Sequence, residues 1–139
     1  MFNERVKLLT ENKNYFEEYI RFASSVIFKA LASHKKIIFC GNGGSAAESQ
    51  HMAAEYVATL DHQRPRDGLS AIALTTDTSF ITAWSNDFGF ETIFSRQVSV
   101  LGHCDSSNTM LIYFLCNTAP ILHFSLIKII VGFKGSFFN

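Results

Sequence analysis

Residues 37–51 read IIFCGNGGSAAESQH, and this stretch decides the fold. Ile37, Ile38, Phe39 and Cys40 form a short apolar run without polar alternation, the pattern of a strand buried on both faces of a parallel sheet. Gly41, Asn42, Gly43 and Gly44 then turn the chain, and an alanine-rich helical stretch begins near Ser45 as its cap. A strand that bends through glycines into a helix N-terminus gathers unsatisfied backbone N–H groups and the positive end of the helix dipole at one spot. Such a spot suits a phosphate or a sugar hydroxyl. His51 lies six residues past Ser45 and Glu55 four beyond that. Residues four apart share a helix face, so imidazole and carboxylate point the same way near the anion site.

Working outward, apolar positions Phe16, Ile20, Ala23, Ile27 and Leu31 recur at helical spacing, so Val6 to Leu31 reads as one or two amphipathic helices. Downstream, a helix is expected over about 45–60, then a polar loop, Asp61 to Gly68, containing Pro65. A second strand follows at Leu69 to Leu74, and Thr75-Thr76-Asp77-Thr78 supplies cap chemistry for a helix over about 79–85. Asn86-Asp87-Phe88-Gly89 reads as an interruption before a last helix from Phe90 to about Leu101. Strand–helix–strand–helix order predicts an α/β fold, an open parallel sheet with flanking helices. Ligands of such sheets sit beyond the carboxyl ends of the strands, where Gly41–Ser45 and Thr75–Thr78 both fall.

The 139 residues make one domain of ordinary size. Twelve basic residues against twelve acidic ones give no net charge, which argues against nucleic acid or an anionic membrane as partner. Three cysteines without CxxC spacing, and an N-terminus too polar for a signal peptide, predict a reduced, cytoplasmic setting. Residues 1–100 hold 21 of the 24 charged residues, leaving Asp105, Lys128 and Lys134 to the rest. Residues 110–133 are the one candidate for a membrane span, but Asn117, Pro120, His123 and Lys128 interrupt it, so no span is expected.

Taken singly, these chemical signals have ordinary readings: a glycine turn reverses the chain, Glu55 is a solvated helix carboxylate, Asn86-Asp87 is a turn. Their order is more specific. The stretch IIFCGNGGSAAESQHMAAEYV, an Arg-Pro pair, and AIALTTDTSFITAWSNDFGFETIFSRQV strongly resemble the phosphoheptose isomerases of the sugar-isomerase (SIS) domain group over roughly residues 1–103. The resemblance implies a cytoplasmic, typically tetrameric enzyme with long N-terminal helices in its subunit interfaces. The implied reaction converts sedoheptulose 7-phosphate to D-glycero-D-manno-heptose 7-phosphate for lipopolysaccharide or capsule. By the same resemblance Asn42, Gly43, Gly44 and Ser45 bind substrate, and Asn86 and Asp87 contact its sugar end. His51 and Glu55 match two of four zinc ligands, and Glu55 is also the acid/base, itself in contact with substrate.

Ketose–aldose isomerisation needs a base that moves a proton between C1 and C2, and stabilisation of charge on the carbonyl oxygen. Some members of the group are instead non-catalytic regulators that bind a replication initiator. Retention of His51 with Glu55 favours the enzyme. From about residue 103 the pattern departs: a strand, a serine/threonine-rich phosphate loop and a late Gln/His helix completing the zinc site are expected, and Ser106-Ser107-Asn108-Thr109 only echoes the loop. Residues 104–139 therefore read as an aberrant apolar tail, out of frame or otherwise non-native, in a chain that lacks the C-terminal half of the fold and is impaired or nonfunctional.

Overall fold

The computed structural model describes residues 2–102 in full, together with the backbone of residues 111–116 and 126–131. Cys104, Ser106 to Thr109 and His123 lie outside the described residues.

Two helices open the chain, α1 (Phe2–Glu11) and α2 (Lys13–Ala32), separated at Asn12, whose side-chain amide donates to the Leu8 carbonyl at 2.9 Å. The ion pairs Lys7–Glu11 and Lys13–Glu17, each 3.7 Å, add a few tenths of a kcal/mol on solvent faces. Helix α2 stops where His34 takes φ 56°, with His34 N–H donating to Leu31 and Lys35 N–H to Ala30, the paired bonds of a Schellman terminus. That reversal delivers the chain into β1 (Ile37–Cys40).

All four β1 residues are buried because the sheet is covered on both sides. Ile37 and Phe39 pack with Ala53 and Ala73, backed by Ile27 and Leu31 of α2 and by Met52 and Tyr56 of α3 (Gly44–Val57). On the other face Ile38 and Cys40 join Leu74 beneath Phe94, Val98 and Leu101 of α5 (Ile93–Leu101). Full burial of Ile37, Ile38 and Phe39 contributes about 1.5–3 kcal/mol each. Small residues at four-residue spacing, Ser45, Ser49 and Ala53, let α3 lie close to the sheet. The fully buried Ser49 hydroxyl is satisfied by the Ser45 carbonyl at 2.7 Å.

Strand β1 is parallel to β2 (Ala71–Ala73) in the register Ile37↔Ala71 and to β3 (Leu111–Cys116) in the register Ile37↔Leu111. Antiparallel β4 (Leu126–Val131) completes the order β2-β1-β3-β4. The apolar stretch over 110–133 thus contributes strands where its backbone is described, and no helix among the described residues is long and apolar enough to cross a membrane.

Several boundaries differ from the sequence reading, and β2 is shorter than the expected Leu69–Leu74. Helix α3 ends at Val57, short of residue 60, because the following loop turns back against its last carbonyls. Helix α4 (Thr78–Phe88) continues through Asn86 and Asp87, which are helical and do not interrupt it. The ring stack Phe80–Trp84–Phe88, with centroids 5.8 and 4.3 Å apart, runs along one face and carries the helix to residue 88. Gly89, at φ 93°, is what stops it, and a 3-10 turn over Phe90–Thr92 leads into α5.

Candidate active site

The glycine bend sits at the carboxyl end of β1. Gly41 is buried with the strand, whereas Asn42, Gly43 and Gly44 are exposed. Gly43 is the residue before α3 and takes φ 57°, ψ −122°, a combination open to glycine alone at no cost. The Asn42 carbonyl accepts from Ser45 N–H at 3.1 Å, and the Gly43 carbonyl from Ala46 at 3.0 Å. Among the described residues no acceptor meets the N–H groups of Asn42, Gly43 or Gly44. A Cβ added at Gly43 or Gly44 would meet no atom within 4 Å. Three backbone donors without an acceptor among the described residues therefore gather at a helix N-terminus, an arrangement suited to an anion. Ser45, expected near the cap, is a buried residue of the first turn under this bend.

The loop after β2 stands beside it. Thr75 Oγ1 accepts from Gln50 Nε2 at 3.3 Å and donates to the Ala46 carbonyl at 3.4 Å, tying the second loop to the start of α3. Asp77 caps α4, its carboxylate accepting from Phe80 N–H at 2.9 Å. Gln97 of α5 donates to the Leu74 carbonyl at 3.1 Å, at the end of β2.

His51 and Glu55 come together as their spacing predicts, His51 Nε2 lying 3.7 Å from Glu55 Oε1. Their faces are unequal: the His51 side chain is 74% exposed and that of Glu55 30%. At 100° per residue they stand opposite Ser45, Ser49 and Ala53, the face that α3 buries, and in line with Gly44 and Glu48. The chemical ridge therefore runs along the outside of α3, away from the chain's own sheet and up to the glycine bend. Asn86 and Asp87 sit exposed in the last turn of α4, where Asn86 Nδ2 donates to Asp87 Oδ1 at 3.3 Å. No hydrogen bond among the described residues joins them to the bend, to His51 or to Glu55.

Arg66 is a residue that the sequence reading left in a polar loop. Its guanidinium donates to the carbonyls of Glu55 and Tyr56 at 2.7 and 2.9 Å. The ring of Tyr56 lies 5.8 Å from that of Phe39, and partial burial pushes its hydroxyl pKa up against the smaller opposing pull of Arg66. At the loop's start Arg64 Nε, 2.7 Å away, and then Gln63 N–H hold the exposed Asp61 carboxyl below its usual range. No sequence signal marked Arg66, because its role depends on where the loop returns.

A mainly parallel sheet covered by helices on both faces, with a glycine bend opening α3 and an acid and an imidazole along that helix, defines an open α/β module. The SIS domain family model matches residues 2–113. The chain belongs to the SIS domain family. It is 49% identical over 102 residues to a protein named phosphoheptose isomerase from Nitratiruptor sp., covering 68% of this chain and 54% of that protein. Its namesake from Methylococcus capsulatus is 37% identical over 119 residues, covering 86% and 59%. Among solved structures, a phosphoheptose isomerase from Neisseria gonorrhoeae superposes with a TM-score of 0.65 at 38% identity, covering 80% of this chain and 55% of that one. The chain spans about half the length of these relatives.

Proposed function

We propose that this site belongs to a ketose–aldose isomerase acting on a seven-carbon sugar phosphate, interconverting sedoheptulose 7-phosphate and D-glycero-D-manno-heptose 7-phosphate. The observation that carries the reading is the 3.7 Å approach of His51 to Glu55 on a helix face in line with the free N–H groups of the glycine bend. The relatives' shared name supports it. In this reading Glu55 takes a proton from C1 of the ketose, the C–H electron pair forms the C1–C2 double bond, and the C2 carbonyl electrons move onto its oxygen. The proton of the C1 hydroxyl passes to that C2 oxygen, the C1 oxygen re-forms a carbonyl as the aldehyde, and the same carboxyl returns its proton to C2. Asn42, Gly43 and Gly44 hold the substrate by backbone donors, Ser45 completes the binding turn at the start of α3, and Asn86 with Asp87 binds its sugar end.

His51 and Glu55 also fit one edge of a zinc site. Tetrahedral bonds of about 2.0–2.1 Å place neighbouring donors about 3.3 Å apart, close to the separation seen. Among the described residues no group of three His, Cys, Asp or Glu gathers to hold a metal; in this reading the pair supplies two of four ligands. When bound there, zinc supplies polarisation of substrate oxygens. We further propose a cytoplasmic homotetramer whose product feeds lipopolysaccharide or capsule. Exposed Phe2, Tyr15, Ile20, Phe22 and Phe28 along α1 and α2 support an interface there. In the same reading the chain departs from the family pattern from about residue 103, leaving residues 104–139 as an aberrant tail, although the family match runs to residue 113.

A second reading, sugar-phosphate binding without turnover, is favoured by the incomplete donor set. Assay of the full chain on sedoheptulose 7-phosphate separates the two. Glu55→Gln is expected to lose about 10²–10⁴-fold in turnover. Turnover within a few-fold of the parent in that variant removes Glu55 from the role of base, and tight substrate binding with no turnover in either protein supports the second reading.

A further inference from the structure

Four carbonyls at the end of a helix lack intrahelical donors, and in α3 these belong to Ala54, Glu55, Tyr56 and Val57. The Ala54 carbonyl accepts from Ala58 N–H at 2.8 Å. The next two are closed by the returning loop: Arg66 Nη2 donates to Glu55 at 2.7 Å, and Arg66 Nη1 and Leu69 N–H each donate to Tyr56 at 2.9 Å. Arg66 Nη1 also reaches the Asp67 carbonyl at 2.9 Å, which holds the guanidinium in place. Close return is possible because residue 68 is glycine; a Cβ there would stand 2.7 Å from the Val57 carbonyl oxygen. A cation at this end also complements the helix dipole. Arg66 touches Glu55 only through that carbonyl, while the Glu55 carboxylate faces His51.

We infer that Arg66 is a positioning residue for Glu55: its planar fork closes the last turn of α3 and thereby holds the carboxylate opposite His51. The inference deepens the proposed function, resting on Glu55 as acid/base. A lysine cannot replace it fully, because an ammonium is a point donor and does not span two neighbouring carbonyls as a fork does.

The test uses the full chain and the ring carbon–proton resonances of His51, assigned with a His51→Gln variant. Glu55→Gln defines the displacement caused by losing the carboxylate. Arg66→Ala, with its circular dichroism unchanged, is expected to move the His51 resonances by at least half that displacement, and Arg66→Lys by less. Amide exchange at Ala58 should accelerate about tenfold in Arg66→Ala, since the turn it closes is freed. Turnover should fall about tenfold with KM within twofold, and added guanidinium ion should restore part of it in Arg66→Ala but none in Glu55→Gln. His51 resonances at their parental position in folded Arg66→Ala overturn the inference. Should that variant fail to fold, parental resonances in Arg66→Lys do the same. The two readings part cleanly: displaced His51 resonances with a fully active Glu55→Gln remove the acid/base role and leave the positioning intact.

Discussion

Gly43 and Gly44 are neighbours in one bend, yet substitution by alanine should change stability in opposite directions. Gly43 holds φ 57° and ψ −122°, outside the left-handed helical well as well as the ordinary right-handed ones. No atom stands within 4 Å of a Cβ there, so the cost of Gly43→Ala is backbone strain alone, about 1–3 kcal/mol. Gly44 has no positive φ, the same empty surroundings, and the first helical position of α3. Alanine there removes conformational freedom from the unfolded chain and should stabilise by about 0.4–1 kcal/mol. The two variants should then differ by roughly 1.4–4 kcal/mol, the sum of those ranges. At ~3–5 °C per kcal/mol for a chain of this size, their melting temperatures separate by at least ~4 °C. Urea unfolding followed by circular dichroism gives the free energies directly. Binding supplies the second half of the test: in the proposed reading substrate lies against the glycine bend, and a methyl at residue 44 crowds it. Gly44→Ala should therefore be the more stable protein and the poorer binder of sedoheptulose 7-phosphate by calorimetry. A destabilised Gly44→Ala, a neutral Gly43→Ala, or undiminished sugar-phosphate affinity in Gly44→Ala would each refute this account of the bend.

Two further outcomes are expected. Asp77→Ala removes the carboxylate that accepts from Phe80 N–H and should cost about 1 kcal/mol, while Asp77→Asn, also a good cap, should retain most of it; chemical denaturation of the pair checks this. Burial raises the Tyr56 hydroxyl pKa in the folded state, so its contribution to stability is whole below the unfolded value of 10.0 and is lost as pH rises through the folded value. Tyr56→Phe should flatten the fall in stability measured above pH 10, and an unchanged slope would exclude Tyr56 as its source.

The features legible in the amino-acid order alone are those set within a single element. Four consecutive apolar residues at 37–40 read as a strand covered on both faces, and GNGGS with its alanine-rich sequel as a bend into a helix. The four-residue spacing of His51 and Glu55 put them on one face of that helix, whatever else the chain did. The stretch Thr75–Thr78 announced cap chemistry in the same way, and the structure gives the cap to Asp77. Tertiary structure decided the rest, because it depends on where distant segments return. Asn86 and Asp87 look like a turn by type, but a ring stack reaching Phe88 keeps them helical and leaves the stop to Gly89. Thr75, placed by its order beyond a strand end, was tied to the start of α3 only by the hydrogen bonds to Gln50 and Ala46. Arg66, unremarkable in a charged loop, acquired its place from two carbonyls ten and eleven residues earlier. Periodicity reports on the torsions of one segment; a hydrogen bond between segments depends on the path of the chain between them.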